Sequence, residues 1–154
     1  MPIRTVFVRG RVQRAVADPT EIRSLAVTGE DLVAAVETNR TTDREAVLRA
    51  TPPFSGRMRA RLHVVQSSGT RTARQPVRVD PDALLEPDAP SYPRPADTED
   101  ALRRAEEPYT VERHREYHAD VVAAWREQLR GAVRERATIR TPAGTTDVDV
   151  HVLD

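Results

Sequence analysis

A chain of 154 residues with 24 basic and 24 acidic residues has zero formal net charge and room for one ordinary domain, or a domain with a small appendage. Every basic residue is arginine and none is lysine or cysteine, which excludes Walker A phosphate loops, Schiff-base nucleophiles, disulfides, thiolate catalysis and cysteine-ligated zinc; no nucleophile elbow or G-x-G-x-x-G occurs either. At 38% hydrophobic and 4% aromatic the core must rest on Val, Leu and Ala, and the longest apolar runs, LVAAV and VVAAW, fall far short of the ~20 residues of a membrane span, so a soluble, cytoplasmic protein without membrane contact is expected.

Residues 3–17, IRTVFVRGRVQRAVA, are Val-rich and broken by Gly10, which predicts two strands or one strand bent at the glycine. Asp18-Pro19 marks a turn, and EIRSLAV fits a helical turn or a strand equally. Thr28 and Thr42 each stand three residues before an acid, Asp31 and Glu45, so capping boxes predict two short helices near 29–39 and 43–50. Pro52-Pro53 stops the second. The stretch SGRMRARLHVV then alternates strictly, with Arg57, Arg59, Arg61 and His63 on one side and Met58, Ala60, Leu62 and Val64 on the other, the period of a strand. SSGT at 67–70 predicts a turn, and residues 71–79 a weaker strand that Pro76 confines to a sheet edge.

Between 80 and 97 five prolines accompany five acids and a single arginine, the composition of a linker or an extended surface wrap. Thr98 is placed to cap a short helix ending at Arg104, and Thr110 to cap the longest helix, about 111–136, whose last turns carry Arg126, Arg130, Arg134 and Arg136 where positive charge suits the helix dipole. The chain closes as a hairpin, ATIRT, PAGT and TDVDVHVLD, with Val148, Val150 and Val152 on one face. The class expected is α+β: a mostly antiparallel sheet packed against one long C-terminal helix, with two short N-terminal helices. Its parts read as a basic α+β portion over 1–79, the acidic Pro-rich linker or wrap over 80–97, and a helical portion with the hairpin over 98–154, together completing one domain.

Charge is unevenly distributed along this chain. Through Val79 there are 14 arginines against 7 acids, and beyond it 10 against 17, so net zero conceals halves of +7 and −7. Such asymmetry points to an anionic partner for the basic half, and the guanidinium fork suits phosphate oxygens. Alternate side chains of a strand stand about 6.6 Å apart, near the phosphate spacing of a nucleic-acid strand, so Arg57, Arg59 and Arg61, continued by His63, would form a ladder of contacts. Charged rows also protect sheet edges from aggregation, and the basic half can pair with the acidic half of its own chain. With only Phe54 and Phe7 nearby for stacking, backbone contact is favoured over base recognition. Asp80, Asp82, Glu86 and Asp88 would compete for the arginine face if the linker lay over it.

In composition, and in the stretches TPPFSGRMRARLHVV and TTDVDVHVLD, the chain resembles small uncharacterised proteins of halophilic archaea, a resemblance that implies no activity.

On the long helix, His114 and His118 lie one turn apart within the stripe centred on Trp125, the i, i+4 spacing that lets two imidazoles share zinc or another divalent metal. Asp149 and His151, on one face of the last strand, and His63 are the candidates for completing such a site. The H-R-E-Y-H order departs from H-E-x-x-H because Glu116 points away from the stripe. Both histidines also fit as neutral, half-buried groups bonded to backbone or to Tyr117 and Tyr109. Three functions compete: a non-enzymatic protein binding nucleic acid or another polyanion through the arginine strand; a homodimeric interaction module in which the basic half of one copy meets the acidic half of another; and a metal-dependent hydrolase built on the His-x3-His pair.

Overall fold

The computed structural model describes residues 18–66, 75–106 and 108–154. The strands expected within 3–17, Phe7, and the turn at 67–70 lie outside the described residues. Two compact units are present: Met1–Leu85 joined with Arg134–Asp154, and Glu86–Val133. The architecture is α+β.

In the first unit the elements are β1 (Ser24–Thr28), α1 (Gly29–Thr41), β2 (Ala46–Ala50), β3 (Arg57–Arg59), β4 (Arg61–Val64), β5 (Val77–Val79), β6 (Arg136–Thr141) and β7 (Gly144–Leu153), with 3₁₀ turns at Pro19–Glu21 and Pro81–Leu84. They form a four-stranded sheet in the order β3-β1-β7-β6 and a three-stranded sheet in the order β4-β2-β5. The second sheet is antiparallel throughout. The first is mixed, because β1 runs parallel to both neighbours while β6 and β7 form the expected antiparallel hairpin. That hairpin turns through Pro142-Ala143 into Gly144 at φ 124°, a backbone conformation that costs glycine little.

Alternation sorts each sheet into a buried and an open face. Leu25 and Val27 on β1, Val148 and Val150 on β7, and Ala137 and Ile139 on β6 are buried. In the second sheet Ala46, Leu48, Ala50, Val77 and Val79 are buried on one face, while the other carries the buried Val47 beside half-buried Arg49 and His63 and exposed Arg61 and Arg78. Helix α1 contributes Leu32, Val33, Ala35 and Val36. It starts where its capping box predicts, Thr28 Oγ1 accepting the Asp31 amide at 3.0 Å.

The second short helix expected at 43–50 is instead β2, the central strand of the three-stranded sheet. Thr42 is the C-cap of α1; its hydroxyl donates to Thr38 O at 2.8 Å and accepts the Arg44 amide at 3.0 Å, a local turn that leads out of α1 and into a strand. Asn39 then clasps the first residue of β2, its side-chain amide donating to Ala46 O at 3.0 Å and its carbonyl accepting from Ala46 N at 2.7 Å. Pairing on both sides outweighs a weak local capping signal. EIRSLAV divides between the two readings: Glu21 ends a 3₁₀ turn, and Ser24 onward is strand β1.

Residues 57–64 form two short strands, not one. The chain leaves the first sheet after Arg59 and joins the second at Arg61. Fully buried Ala60 makes the crossing, its amide donating to Ala26 O at 2.9 Å. Both resulting strands are edges. Strand β5 is the edge strand that Pro76 foretold, although its partner is β2.

The Pro-rich segment begins with a 3₁₀ turn capped by Asp80, whose carboxylate accepts the Asp82 amide at 3.0 Å, and Asp82 pairs with Arg40 at 3.0 Å. Neither acid is therefore paired with the arginine strip.

The second unit holds α2 (Pro95–Arg104) and α3 (Val111–Arg130). Helix α2 begins one turn before Thr98, because Pro95 occupies the first helical position, where a missing amide costs nothing. Helix α3 starts at the expected cap, Thr110 Oγ1 accepting the Arg113 amide at 3.0 Å, but stops at Gly131, short of 136. Its buried stripe is Val122, Trp125 and Leu129. Trp125 donates its indole N–H to Pro90 O at 3.0 Å and meets Tyr92 edge-on at 4.8 Å. Among the described residues no helix is long and apolar enough to cross a membrane.

Candidate functional site

The open face of the four-stranded sheet is fixed by register. Parallel pairing sets Ser24 beside Arg57 and Ala26 beside Arg59, and on the other flank Ala26 beside His151. Small side chains on the middle strand leave a low floor between the arginines of β3 and the His151 and Leu153 side chains of β7. The result is an open hollow of about 470 Å³, lined by Ser24, Ala26, Arg57, Met58, Arg59, His151 and Leu153.

The hollow is cationic because the nearby acids are already engaged. Asp149 and Asp147 lie on the same face, but Asp149 accepts from Arg136 at 2.9 Å and Asp147 from the Thr138 hydroxyl at 2.6 Å. Among the described residues no carboxylate pairs with Arg57, Arg59 or Arg61, and segments 1–17 and 67–74 contain no Asp or Glu in their sequence. Arg59 is half-buried, and its Nε is buried without a hydrogen-bond partner. Leaving such a donor unmet costs about 1–3 kcal/mol, which an external acceptor would recover.

Arg61 and His63 belong to the other sheet. The ladder expected of Arg57, Arg59 and Arg61 is thus interrupted: two guanidiniums border the hollow and the third starts the edge of the three-stranded sheet. The sheet change at Ala60 replaces the even strand spacing. His63 is half-buried opposite Val47. Burial holds its pKa below the ordinary histidine value, with the charges of Arg49 and Arg78 adding to the shift, so at neutral pH it carries no charge. Arg49 is hidden by the helical reading of 43–50, and Arg78, within the expected strand 71–79, by a pairing with β2 that no single stretch reveals; the available signal is an arginine flanked by core-type residues in both VLRA and VRV.

His114 and His118 do face one another, with ring centroids 5.9 Å apart, in the second unit. What lies between them is Thr98, only 6% exposed. Thr98 Oγ1 is 2.9 Å from His114 Nε2 and 2.9 Å from His118 Nδ1, and it donates to Pro95 O at 3.1 Å. With that hydroxyl proton committed, each imidazole serves as donor, and His114 Nε2 also reaches Pro95 O at 3.1 Å. The partners are the backbone, one of the two alternatives expected, and a threonine on α2 in place of Tyr117 and Tyr109, the Tyr109 ring lying 6.2 Å from that of His114. Tyr109 instead lies beneath the Arg103 guanidinium, 3.8 Å from ring centroid to Cζ.

Asp149 and His151 lie side by side on one face of β7 in the first unit, where Asp149 is held by Arg136. Among the described residues no group of three or more His, Asp or Glu side chains is arranged to hold a metal ion. One nitrogen of each imidazole is engaged with Thr98 Oγ1.

A family model described as Domain of unknown function (DUF8009) matches residues 12–154. No curated protein and no solved structure matches the chain.

Proposed function

The chain belongs to the DUF8009 family, and from that premise we propose that it is a small binding protein that contacts nucleic acid through its phosphate backbone, using Arg57 and Arg59 at the hollow and Arg61 at the adjoining sheet edge. One observation carries this reading: among the described residues none of these three guanidiniums lies within ion-pair distance of a carboxylate, Asp31 beside Arg61 being bound to the Leu62 amide at 3.1 Å, and Arg59 keeps a buried Nε without an acceptor. Nearby carboxylates exist but are committed elsewhere, so the vacancy is local and not a consequence of composition. Few aromatic residues face this surface, and the contacts are correspondingly indifferent to sequence.

The test is fluorescence anisotropy with generic single-stranded and duplex oligonucleotides across about 50 to 200 mM salt. Binding should weaken steeply with salt for both. Arg57→Gln, Arg59→Gln and Arg61→Gln combined should flatten the logarithmic salt dependence by about 2 to 3 while leaving base composition without influence. No retention of either oligonucleotide at the lowest salt removes the proposal.

A second reading rests on the charge difference between the units. Met1–Leu85 with Arg134–Asp154 carry 17 arginines against 13 acids, and Glu86–Val133 carry 7 against 11, giving +4 and −4. Copies of the chain could associate basic unit to acidic unit, which sedimentation would report as an oligomer dissolving with salt; a monomer at every ionic strength refutes it.

A further inference from the structure

We propose that the face of the three-stranded sheet carrying its arginine row is a separate phosphate site, in which Arg61, Arg49 and Arg78 together grip one phosphoryl group with His63 beside it. Only Arg61 is shared with the nucleic-acid surface, so this inference goes beyond that reading.

Strand register sets the geometry of this row. Arg49 on β2 pairs directly with Arg61 on β4 and with Arg78 on β5, which sets three arginines in one row across three adjacent strands. Directly paired residues emerge on the same face, and adjacent strands lie about 4.8 Å apart, so the outer two are anchored roughly 10 Å from each other with Arg49 midway. Long flexible arms converge readily from that base onto one tetrahedral anion above the central strand. The row has no freedom to slip, because its other face carries Ala46, Leu48, Ala50, Val77 and Val79 in the core, and a shift by one residue would bury the arginines instead.

Like charges directly opposite one another destabilise a sheet, and here two such pairs share one strand. Among the described residues none of the three is paired with a carboxylate, and segments 1–17 and 67–74 supply none from their sequence. Protection of an exposed edge accounts for Arg61 and Arg78, whose strands are both edges. It does not account for Arg49, whose strand is flanked on both sides. A half-buried cation in the middle of the sheet, between two others, is explained by a counter-ion that arrives from outside. Three guanidiniums match the charge and the oxygen geometry of a phosphate dianion better than those of a carboxylate. Uncharged His63 adds a donor without adding to the repulsion.

The experiment is titration calorimetry of the intact chain with inorganic phosphate at pH 7.5, against sodium chloride of equal ionic strength. The expected result is saturable one-to-one binding of phosphate that chloride does not reproduce. Arg49→Gln should weaken it at least tenfold, Arg78→Gln should do the same at an exposed position where folding is not in question, and the Arg57→Gln, Arg59→Gln pair should leave it unchanged. As an independent readout, His63 should titrate at higher pH with phosphate bound, because the anion offsets the Arg49 and Arg78 charges that act on it from the neighbouring strands.

Absence of saturation beyond the chloride control, or undiminished binding by both Arg49→Gln and Arg78→Gln, overturns the proposal. A 5′-phosphorylated oligonucleotide that outbinds its dephosphorylated twin only while Arg49 is present assigns the phosphoryl group to a nucleic-acid end. Equal binding of the twins alongside intact phosphate binding assigns it to free phosphate or a small ester. Failure of all oligonucleotide binding refutes the nucleic-acid reading alone and leaves the phosphate isotherm standing.

Discussion

The helical unit and the sheet unit use the same residue, arginine, in opposite ways. On the helices Arg94 pairs with Asp97 at 3.1 Å, Arg103 with Glu99 at 3.0 Å and Arg130 with Glu127 at 3.8 Å, each at a separation of three or four residues. In the sheets Arg49, Arg57, Arg59, Arg61 and Arg78 have no such partner among the described residues, although the same unit spends acids on Arg40 and Arg136. Helical periodicity makes an internal partner easy to encode locally. A strand places its neighbours by pairing, and here pairing sets arginine beside arginine. The comparison teaches that arginine content says little about partners until each guanidinium's nearest acid is known.

That contrast depends on the sheet register, so the largest effect should come from removing what holds it. Leu48 is fully buried beneath the arginine row, and Leu48→Ala should cost about 2–5 kcal/mol, read as a lowered urea midpoint together with loss of phosphate and oligonucleotide binding. A variant that loses the stability and keeps full binding would break the link between register and site.

Thr98 tests the opposite case, a polar cluster whose bonds are all internal. Thr98→Val keeps the shape but removes the acceptor of two imidazoles, and should cost about 1–3 kcal/mol in chemical denaturation without altering oligonucleotide or phosphate binding. Metal added to the wild-type chain should leave the same unfolding midpoint unchanged; a metal-dependent rise removed by His114→Ala would revive the metal site.

Smaller still is the pH response of His63. Its folded pKa lies below the unfolded value of about 6.5, so the unfolded state binds the proton more readily. Stability is accordingly full above that value and declines as pH falls through it toward the folded pKa. Unfolding curves between pH 7.5 and about 5 should show the decline, and Arg49→Gln should lessen it by removing one of the repelling charges. An unchanged slope in the variant would remove Arg49 from the surroundings of His63.

The smallest effect belongs to the helical pairs. Arg103→Gln breaks an exposed bridge, worth about 0.3–0.5 kcal/mol, and also a stacking contact with Tyr109. It should shift the thermal midpoint slightly and leave the salt dependence of oligonucleotide binding as it was. If it weakens binding as much as Arg59→Gln, the distinction between the units fails.

Local rules carried the sequence reading wherever a few adjacent residues settle the outcome. The caps at Thr28 and Thr110, the turn before Gly144, the valine face of the last strand, the alternation from 57 to 64 and the α+β class all follow from hydrogen-bond donors, backbone freedom and side-chain period. Thr98 reads locally as a helix cap, but α2 starts at Pro95 with Arg94 before it, and its role as partner of two histidines sixteen and twenty positions later is set by packing between helices. Strand β2 looked helical because its neighbours in space, β4 and β5, are remote in sequence and supply the bonds that decide it. For the same reason only the tertiary structure could break the arginine strip at Ala60, run β1 parallel to β3 and β7, and bring Arg61, Arg49 and Arg78 into one row, since strand register is a property of pairs and a single stretch of sequence holds one member of each.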